Sequence, residues 1–176
     1  MRIGLSKFGV AAALAVVSVL GLAQVSMAQG AAAAKDQVLT VAETTKLLPA
    51  SVFFRGQSAT TQLRNSGGVK FADGMYVLAT LVDTSGYSTD VQAKYQAYFI
   101  TEVAIKIEGH ELPAGIYGVG FIGGDKFVVL DVGAHDLFTV SSKTDAEMKR
   151  PTPMKVVGAA DGFRLFAGRR YVTITR

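Results

Sequence analysis

The stretch GVGFIGGDKFVVL, residues 118–130, decides between two fold classes. Its glycines have the spacing G-x-G-x-x-G, which binds dinucleotides where a strand precedes it and a helix opens at the third glycine. Here residues 116–122 alternate as a strand does, and the residues after the turn GGD read as a second strand, KFVVLDV. The stretch therefore predicts a β-hairpin, with no helix N-terminus to receive a pyrophosphate.

The glycines of this hairpin still need a reason, because glycine weakens the interior of a strand. Gly118 and Gly120 share one face of the predicted strand, so that face is bare backbone. Three interpretations remain: a bend of the sheet, a seat for a bulky side chain from an adjacent strand, or a ligand that approaches the sheet. The two structural interpretations are favoured, and both glycines stay candidate site residues.

Outward from the hairpin, short apolar runs with a period of two follow one another. VAIKIEG, residues 103–109, and RYVTITR, residues 170–176, alternate clearly, whereas MYVLATLV, residues 75–82, is apolar throughout and is typical of a strand covered on both faces. The pattern predicts an all-β fold, a single sandwich or partly closed barrel of about eight to ten strands with one or two short helices. Turns are predicted at NSGG (65–68), ADG (72–74 and 160–162), GGD (123–125) and AGRR (167–170), and helices at 88–99 and 142–150.

The N-terminus predicts export. Arg2 and Lys7 precede an apolar run, and small residues stand at the two positions that a signal peptidase reads, so residues 1–28 are expected to be a signal peptide cleaved before Gln29. Residues 29–50 read as an alanine-rich tether with a short helix over Val41 to Leu48, and residues 51–176 as the β-rich domain. The mature protein is expected in the periplasm or outside the cell, without a membrane span.

Charge and composition exclude only a few classes of function. The chain has no cysteine, which excludes disulfides, thiolate zinc sites and a cysteine nucleophile. Residues 143–176 hold eight Lys or Arg and three Asp or Glu. This bias indicates either a patch for an anionic partner or a solvated face, and the spread of the cations over strands and loops favours the solvated face.

Two histidines are the remaining chemical candidates. His110 lacks a second histidine four residues on, so the zinc metalloprotease pattern is absent. A metal site would need His135, Asp136 or Asp131, and a third group such as His110 to meet in space. The favoured interpretation is a polar turn in which Asp136 bonds its own backbone. No catalytic residue, cofactor or metal ligand is predicted.

The residues EGHELPAGIYGVGFI carry one resemblance. They are similar to a hairpin of exported bacterial β-rich proteins of uncharacterised function, in which a short strand, a Gly-Lys-x-Leu-Pro-Ala-Gly loop and a tyrosine-bearing strand follow one another. His110 stands where those proteins have lysine or a similar residue. The likeness covers roughly residues 103–130; it implies a secreted sandwich-like domain and supplies no catalytic residue.

These patterns favour a non-enzymatic binding or structural module with an envelope or extracellular partner and no nucleic acid. Two alternatives stay open. One is a secreted hydrolase or metal-dependent enzyme that uses His110, His135 and Asp136. The other is a lipocalin-like carrier, which needs an apolar cavity inside a barrel.

Overall fold

The computed structural model describes residues 35–176, which form fourteen strands and two short helices. The fold class is all-β, as the sequence predicted, with more strands than the eight to ten expected. The elements are β1 (Gln37–Leu39), α1 (Val41–Leu47), β2 (Ser51–Phe54), β3 (Gln57–Lys70), β4 (Tyr76–Val82), α2 (Thr89–Gln92), β5 (Ala97–Thr101), β6 (Ile105–Ile107), β7 (His110–Leu112), β8 (Gly115–Ile122), β9 (Lys126–Leu130), β10 (Asp136–Ser141), β11 (Lys143–Thr144), β12 (Thr152–Ala159), β13 (Gly162–Gly168) and β14 (Arg170–Thr175). The predicted signal peptide with its cleavage site, and the start of the predicted tether, lie outside the described residues.

The strands form two antiparallel sheets. The eight-stranded sheet has the order β1-β3-β4-β5-β8-β9-β10, with β2 paired to β3. The six-stranded sheet has the order β12-β13-β14-β6-β7, with β11 paired to β14. The opening stretch is the hairpin of β8 and β9, in which Phe121 faces Phe127 across the ladder.

The two sheets enclose the main hydrophobic core, as in a sandwich. The eight-stranded sheet contributes alternate residues such as Phe99 and Phe127, and the six-stranded sheet contributes others such as Ile107, Leu165 and Ile174. The predicted alternation of VAIKIEG and RYVTITR is confirmed, because their isoleucines and Val172 all point into this core.

A second hydrophobic cluster covers the other face of the eight-stranded sheet. Leu78, Val128 and Leu130 point to it from the sheet, and Phe54 and Tyr95 pack on them from the β2 hairpin and the segment after α2. The prediction that MYVLATLV is covered on both faces is therefore confirmed.

The predicted tether is partly wrong, because the fold begins well before Ser51. Strand β1 pairs with the end of β3, and Leu39 and Leu48 are buried in the second cluster. The short helix expected here is present as α1, and a capping box at its start joins Thr40 and Glu43. Burial of the leucines between strand and helix explains why this alanine-rich end belongs to the domain.

The turn predicted at NSGG is also wrong. These residues lie inside β3, at the end of an irregularity in its pairing between Gln62 and Ser66 and directly after it. A Cβ on Gly67 would come within 2.6 Å of the Val156 backbone nitrogen, and one on Gly68 within 2.6 Å of a Leu78 methyl carbon. The two glycines permit close packing on both faces of a strand, which the sequence alone reads as a turn.

Of the two helices predicted outside the N-terminal segment, one is much shorter than expected and the other is absent. The helix expected over 88–99 is only α2, four residues long, and Ser88 at its N-cap makes no side-chain hydrogen bond. Residues 97–101 form β5, whose side chains are largely buried. Residues 142–150 contain β11 and turns instead of a helix. Within the described part of the chain, no helix is long and apolar enough to cross a membrane.

Candidate functional site

Gly118 and Gly120 are occupied by the protein itself. A Cβ on Gly118 would lie 2.7 Å from the Phe54 ring and 2.8 Å from the Tyr95 ring, which stack on each other with centroids 3.7 Å apart. A Cβ on Gly120 would overlap the carbonyl oxygen of Lys94. Other parts of the protein therefore fill the space beside both glycines, but they come from β2 and the segment after α2, not from the strands adjacent to β8. The G-x-G-x-x-G spacing belongs to a hairpin.

His110 lies in strand β7, where the sequence suggested a loop. Its imidazole packs on the Phe138 ring at a centroid distance of 4.0 Å. Phe138 is a partly buried member of the main core, on the edge strand β10. His110 therefore covers the end of the core where two edge strands of different sheets meet.

His135 and Asp136 are engaged separately. The Asp131 carboxylate accepts hydrogen bonds from the backbone N–H groups of Gly133 and His135, and it lies 3.0 Å from His135 Nδ1. The hydrogen bond from the His135 N–H is the largest cause that lowers the pKa of Asp131. The polar turn is confirmed, but Asp131 stabilises it instead of Asp136, whose carboxylate pairs with Lys94 at 2.7 Å.

The three candidates for a metal site do not converge. Across residues 35–176, no group of three His, Asp or Glu side chains is arranged to hold a metal ion. His110 stacks on an aromatic ring, His135 bonds Asp131 and Asp136 bonds Lys94, so each has a structural neighbour of its own.

Two basic residues of segment 143–176 contact other parts of the fold. Arg170 donates to the carbonyl oxygens of Phe121 and Ile122 and so ties the two sheets together. Arg176 pairs with Asp73 and lies over the Phe71 ring. These two cations are therefore engaged by groups of the protein itself.

One face of the six-stranded sheet, which we call the outer face, is covered by neither hydrophobic cluster of the described residues. Cross-strand partners in register share a face, and the residues opposite to the core side chains point outward. The outer face consists of Lys143, Lys155, Phe166 and Tyr171 in one row, Val157, Arg164 and Thr173 in the next, and Lys106, Glu111 and Thr175 in the third.

An aromatic pair lies under cations at one end of the outer face. Phe166 and Tyr171 pack with ring centroids 5.0 Å apart. The Lys155 ammonium lies 5.4 Å from the Phe166 ring, and the Arg164 guanidinium lies 4.8 Å from the Tyr171 ring. Phe166 is only 3% exposed, and the side chains of Lys155 and Tyr171 lie against its ring.

A carboxylate lies at the centre of the outer face. Glu108 follows β6 with a left-handed backbone, and its carboxylate accepts from the Thr173 N–H at 2.6 Å and from Lys143 Nζ at 2.7 Å. Burial raises the pKa of Glu108, but the hydrogen bonds from Lys143, from the Thr173 N–H and from the Thr173 hydroxyl outweigh burial, so the pKa lies below its usual value. Glu108 is therefore ionised at neutral pH, with its side chain 16% exposed.

One polar atom beside this carboxylate lacks a hydrogen-bond partner. Arg164 Nε is buried and unpaired in the described part of the chain. Its cross-strand neighbour Thr173 is 8% exposed, and the Thr173 hydroxyl lies beside the Glu108 carboxylate and lowers its pKa. Most buried polar groups in proteins are satisfied, so Arg164 Nε is an exception.

A groove of about 230 Å³ borders the outer face at the β6–β7 end. It is lined by Ile105, Leu112 and Pro113, and by Lys106 and Glu111 of the outer face. A separate groove of about 240 Å³ lies between α1 and the ends of β3 and β4, with Lys46, Lys70 and Tyr76 in its walls.

Sequence reasoning missed the outer face as a site. The alternation of RYVTITR already places Tyr171 and Thr173 opposite to the core residues Val172 and Ile174. It does not reveal that Arg164 and Glu108 become their neighbours, because that depends on the pairing of β13, β14 and β6. Comparison of the chain with protein-family models, curated proteins and solved structures finds no match.

Proposed function

We propose that the chain is an exported, non-enzymatic binding module, and that its partner contacts the outer face of the six-stranded sheet. The observation that carries this proposal is the difference in coverage: the eight-stranded sheet is packed on both faces, while the six-stranded sheet is packed on one. Export rests on the N-terminal sequence and on the resemblance of residues 103–130 to exported β-rich bacterial proteins. The partner is accordingly an envelope or extracellular component.

The absence of cysteine from the sequence permits a clean blocking experiment. Val157→Cys places a single thiol on the outer face, and Leu47→Cys places one on α1, at a site of similar exposure on the other side of the eight-stranded sheet. Each variant is coupled to a maleimide-linked polyethylene glycol chain. Binding to isolated envelope fragments of the producing bacterium is then measured by sedimentation.

We expect the polymer at position 157 to abolish sedimentation with the envelope, and the polymer at position 47 to leave it unchanged. Both uncoupled variants should bind as the unmodified protein does. Equal binding by the two coupled variants would place the partner elsewhere, and no binding by the unmodified protein would contradict the proposed function itself.

A further inference from the structure

We infer that strand β10 is the edge at which two copies of this chain pair. The two β10 strands run antiparallel across a two-fold axis, so that the two eight-stranded sheets become one continuous sheet. The inference goes beyond the proposed binding function, because β10 does not belong to the sheet that carries the outer face. Three observations carry it: the free backbone of β10, the protection of the other edge strands, and the sequence of β10, which is complementary to itself.

The backbone of β10 directs hydrogen-bonding groups away from its neighbour. β10 ends the eight-stranded sheet and pairs only with β9 in the described part of the chain. Directly after β10, the Ser142 N–H donates to the Asp125 carbonyl oxygen at 2.7 Å, which lies on the β9 side. Because the backbone groups of successive residues point to opposite sides of a strand, those of Thr139 and Ser141 point to the open side. Both residues are exposed.

The other edge strands are shorter or protected. Strands β1, β2, β7 and β11 have at most four residues each, against six in β10. Strand β12 has eight residues, but it contains Pro153 and Lys155. Proline and lysine on an edge strand prevent its pairing with a second molecule, and β10 contains neither. The irregularity of β10 lies at its start, so residues 138–141 pair regularly with β9.

The open backbone groups select one register. Two strands exchange hydrogen bonds only where residues with outward-pointing groups face each other, so the two-fold axis passes beside Thr139 or beside Val140. The strand ends at Ser141, after which the chain enters β11 of the other sheet. An axis beside Thr139 therefore pairs residues 137–141 of the two copies, whereas an axis beside Val140 pairs only residues 139–141. The longer overlap places Thr139 opposite Thr139 of the second copy.

In this register the side chains of β10 are complementary to themselves. Phe138 of each copy faces Val140 of the other, and both are partly buried members of the main core. Pairing removes more of their apolar surface from water, at the end of the core that His110 covers. On the opposite face two threonines are direct neighbours, and residues 137–141 contain no charge. A second copy of this chain therefore fits the edge.

The pairing ends at two copies. A two-fold contact uses the same surface on both molecules and closes on itself. Growth into a fibre would need a second open edge on each molecule, and the remaining edges of the described residues are short or carry Pro153 and Lys155. We therefore expect a dimer.

The dimer has a consequence for the proposed function. Because the two-fold axis is perpendicular to the joined sheet, both six-stranded sheets lie on the same side of it, and both outer faces point the same way. Two binding faces on one side hold an envelope surface at two points, which raises the avidity. This consequence rests on the proposed binding function, whereas the pairing of β10 does not.

The pairing is tested by sedimentation velocity of the purified protein at increasing concentration. We expect the unmodified protein to reach twice the mass of one chain. Thr139→Lys and Thr139→Asp each place two like charges opposite each other at the axis, so each variant alone should stay monomeric. An equimolar mixture of the two should form a dimer, because opposite charges then face each other. Thr152→Lys, at an exposed position on the edge strand β12, is the control and should dimerise as the unmodified protein does.

An unmodified protein that stays monomeric at every concentration would overturn the inference. Dimers of either charge variant alone, or a mixture that remains monomeric, would overturn it as well. In the envelope assay, Thr139→Lys should bind more weakly than Thr152→Lys, since a single copy offers one binding face. Equal binding by these two variants would contradict attachment at two points and leave the pairing in place. No binding by the unmodified protein would contradict the proposed function alone.

Discussion

The two sheets of the sandwich differ in what covers their outward faces. The eight-stranded sheet carries a second layer of apolar side chains under α1, the β2 hairpin and the segment after α2. The six-stranded sheet carries the outer face, where cations lie over Phe166 and Tyr171 and a carboxylate is held between strands. The first arrangement fills the outward side of its sheet with apolar side chains, while the second presents charged and polar side chains. Both sheets stabilise the fold through the main core, and the difference is expected at their outward sides: packing at the eight-stranded sheet and binding at the six-stranded sheet.

The largest expected effect tests the tightly packed side of this comparison. Gly120→Val would drive a branched side chain into the carbonyl of Lys94, and overpacking of that severity costs about 3 kcal/mol or more. Gly123→Val is the matched control, because no atom lies within 4 Å of its Cβ position. Urea unfolding should show a large loss of stability for the first variant and a small one for the second. A midpoint for Gly120→Val equal to that of the unmodified protein would show that this region is open.

The next effect comes from two tyrosines in the second cluster. Tyr87 donates a hydrogen bond to the Phe54 carbonyl oxygen at 3.1 Å, whereas the Tyr95 hydroxyl is buried without a partner in the described residues, and burial raises its pKa. Tyr87→Phe should lower the free energy of unfolding by about 1 kcal/mol. Tyr95→Phe should leave it unchanged or raise it, since it removes an unsatisfied group. The opposite order would indicate a hydrogen bond to Tyr95 in solution.

The smallest expected effect concerns the pH dependence of stability at the outer face. The folded-state pKa of Glu108 lies below the unfolded value near 4.5, so its contribution is present above that pH and is lost as pH falls through the folded-state pKa. Glu108→Gln should therefore be less stable than the unmodified protein at pH 7. The difference should shrink as the pH falls below 4. A partly exposed pair of this kind contributes about 1 kcal/mol or less, and a difference that grows on acidification would contradict the assigned shift.

The sequence revealed those parts of the fold that have a clear period. The hairpin of β8 and β9 and the alternating strands at 105–107 and 170–175 follow from patterns of two. Strand β5 was missed because Ala97 to Thr101 is apolar on both faces and follows a short helix. The sequence of β5 lacks the alternation that marks a half-buried strand. The helix predicted to begin at the capping pattern of Ser88 and Thr89 was therefore continued to residue 99.

The candidate site was less accessible to sequence reasoning than the fold. His110, His135 and Asp136 were singled out because their residue types suit chemistry, yet each is engaged by one nearby group. Arg164, Thr173 and Glu108 come from three different strand segments, separated by up to 65 residues. Only the register of the six-stranded sheet brings them together, and no local pattern encodes that register.

The central claim is that the outer face of the six-stranded sheet is the binding surface. Lys155 lies on that face and Lys46 lies on α1, on the other side of the eight-stranded sheet, so the two amines report on the two regions compared above. The most direct measurement is the rate of acetylation of each lysine, by mass spectrometry, with and without envelope fragments. The account predicts that the fragments slow acetylation of Lys155 severalfold and leave Lys46 unchanged. Protection of Lys46 with Lys155 unaffected would contradict it.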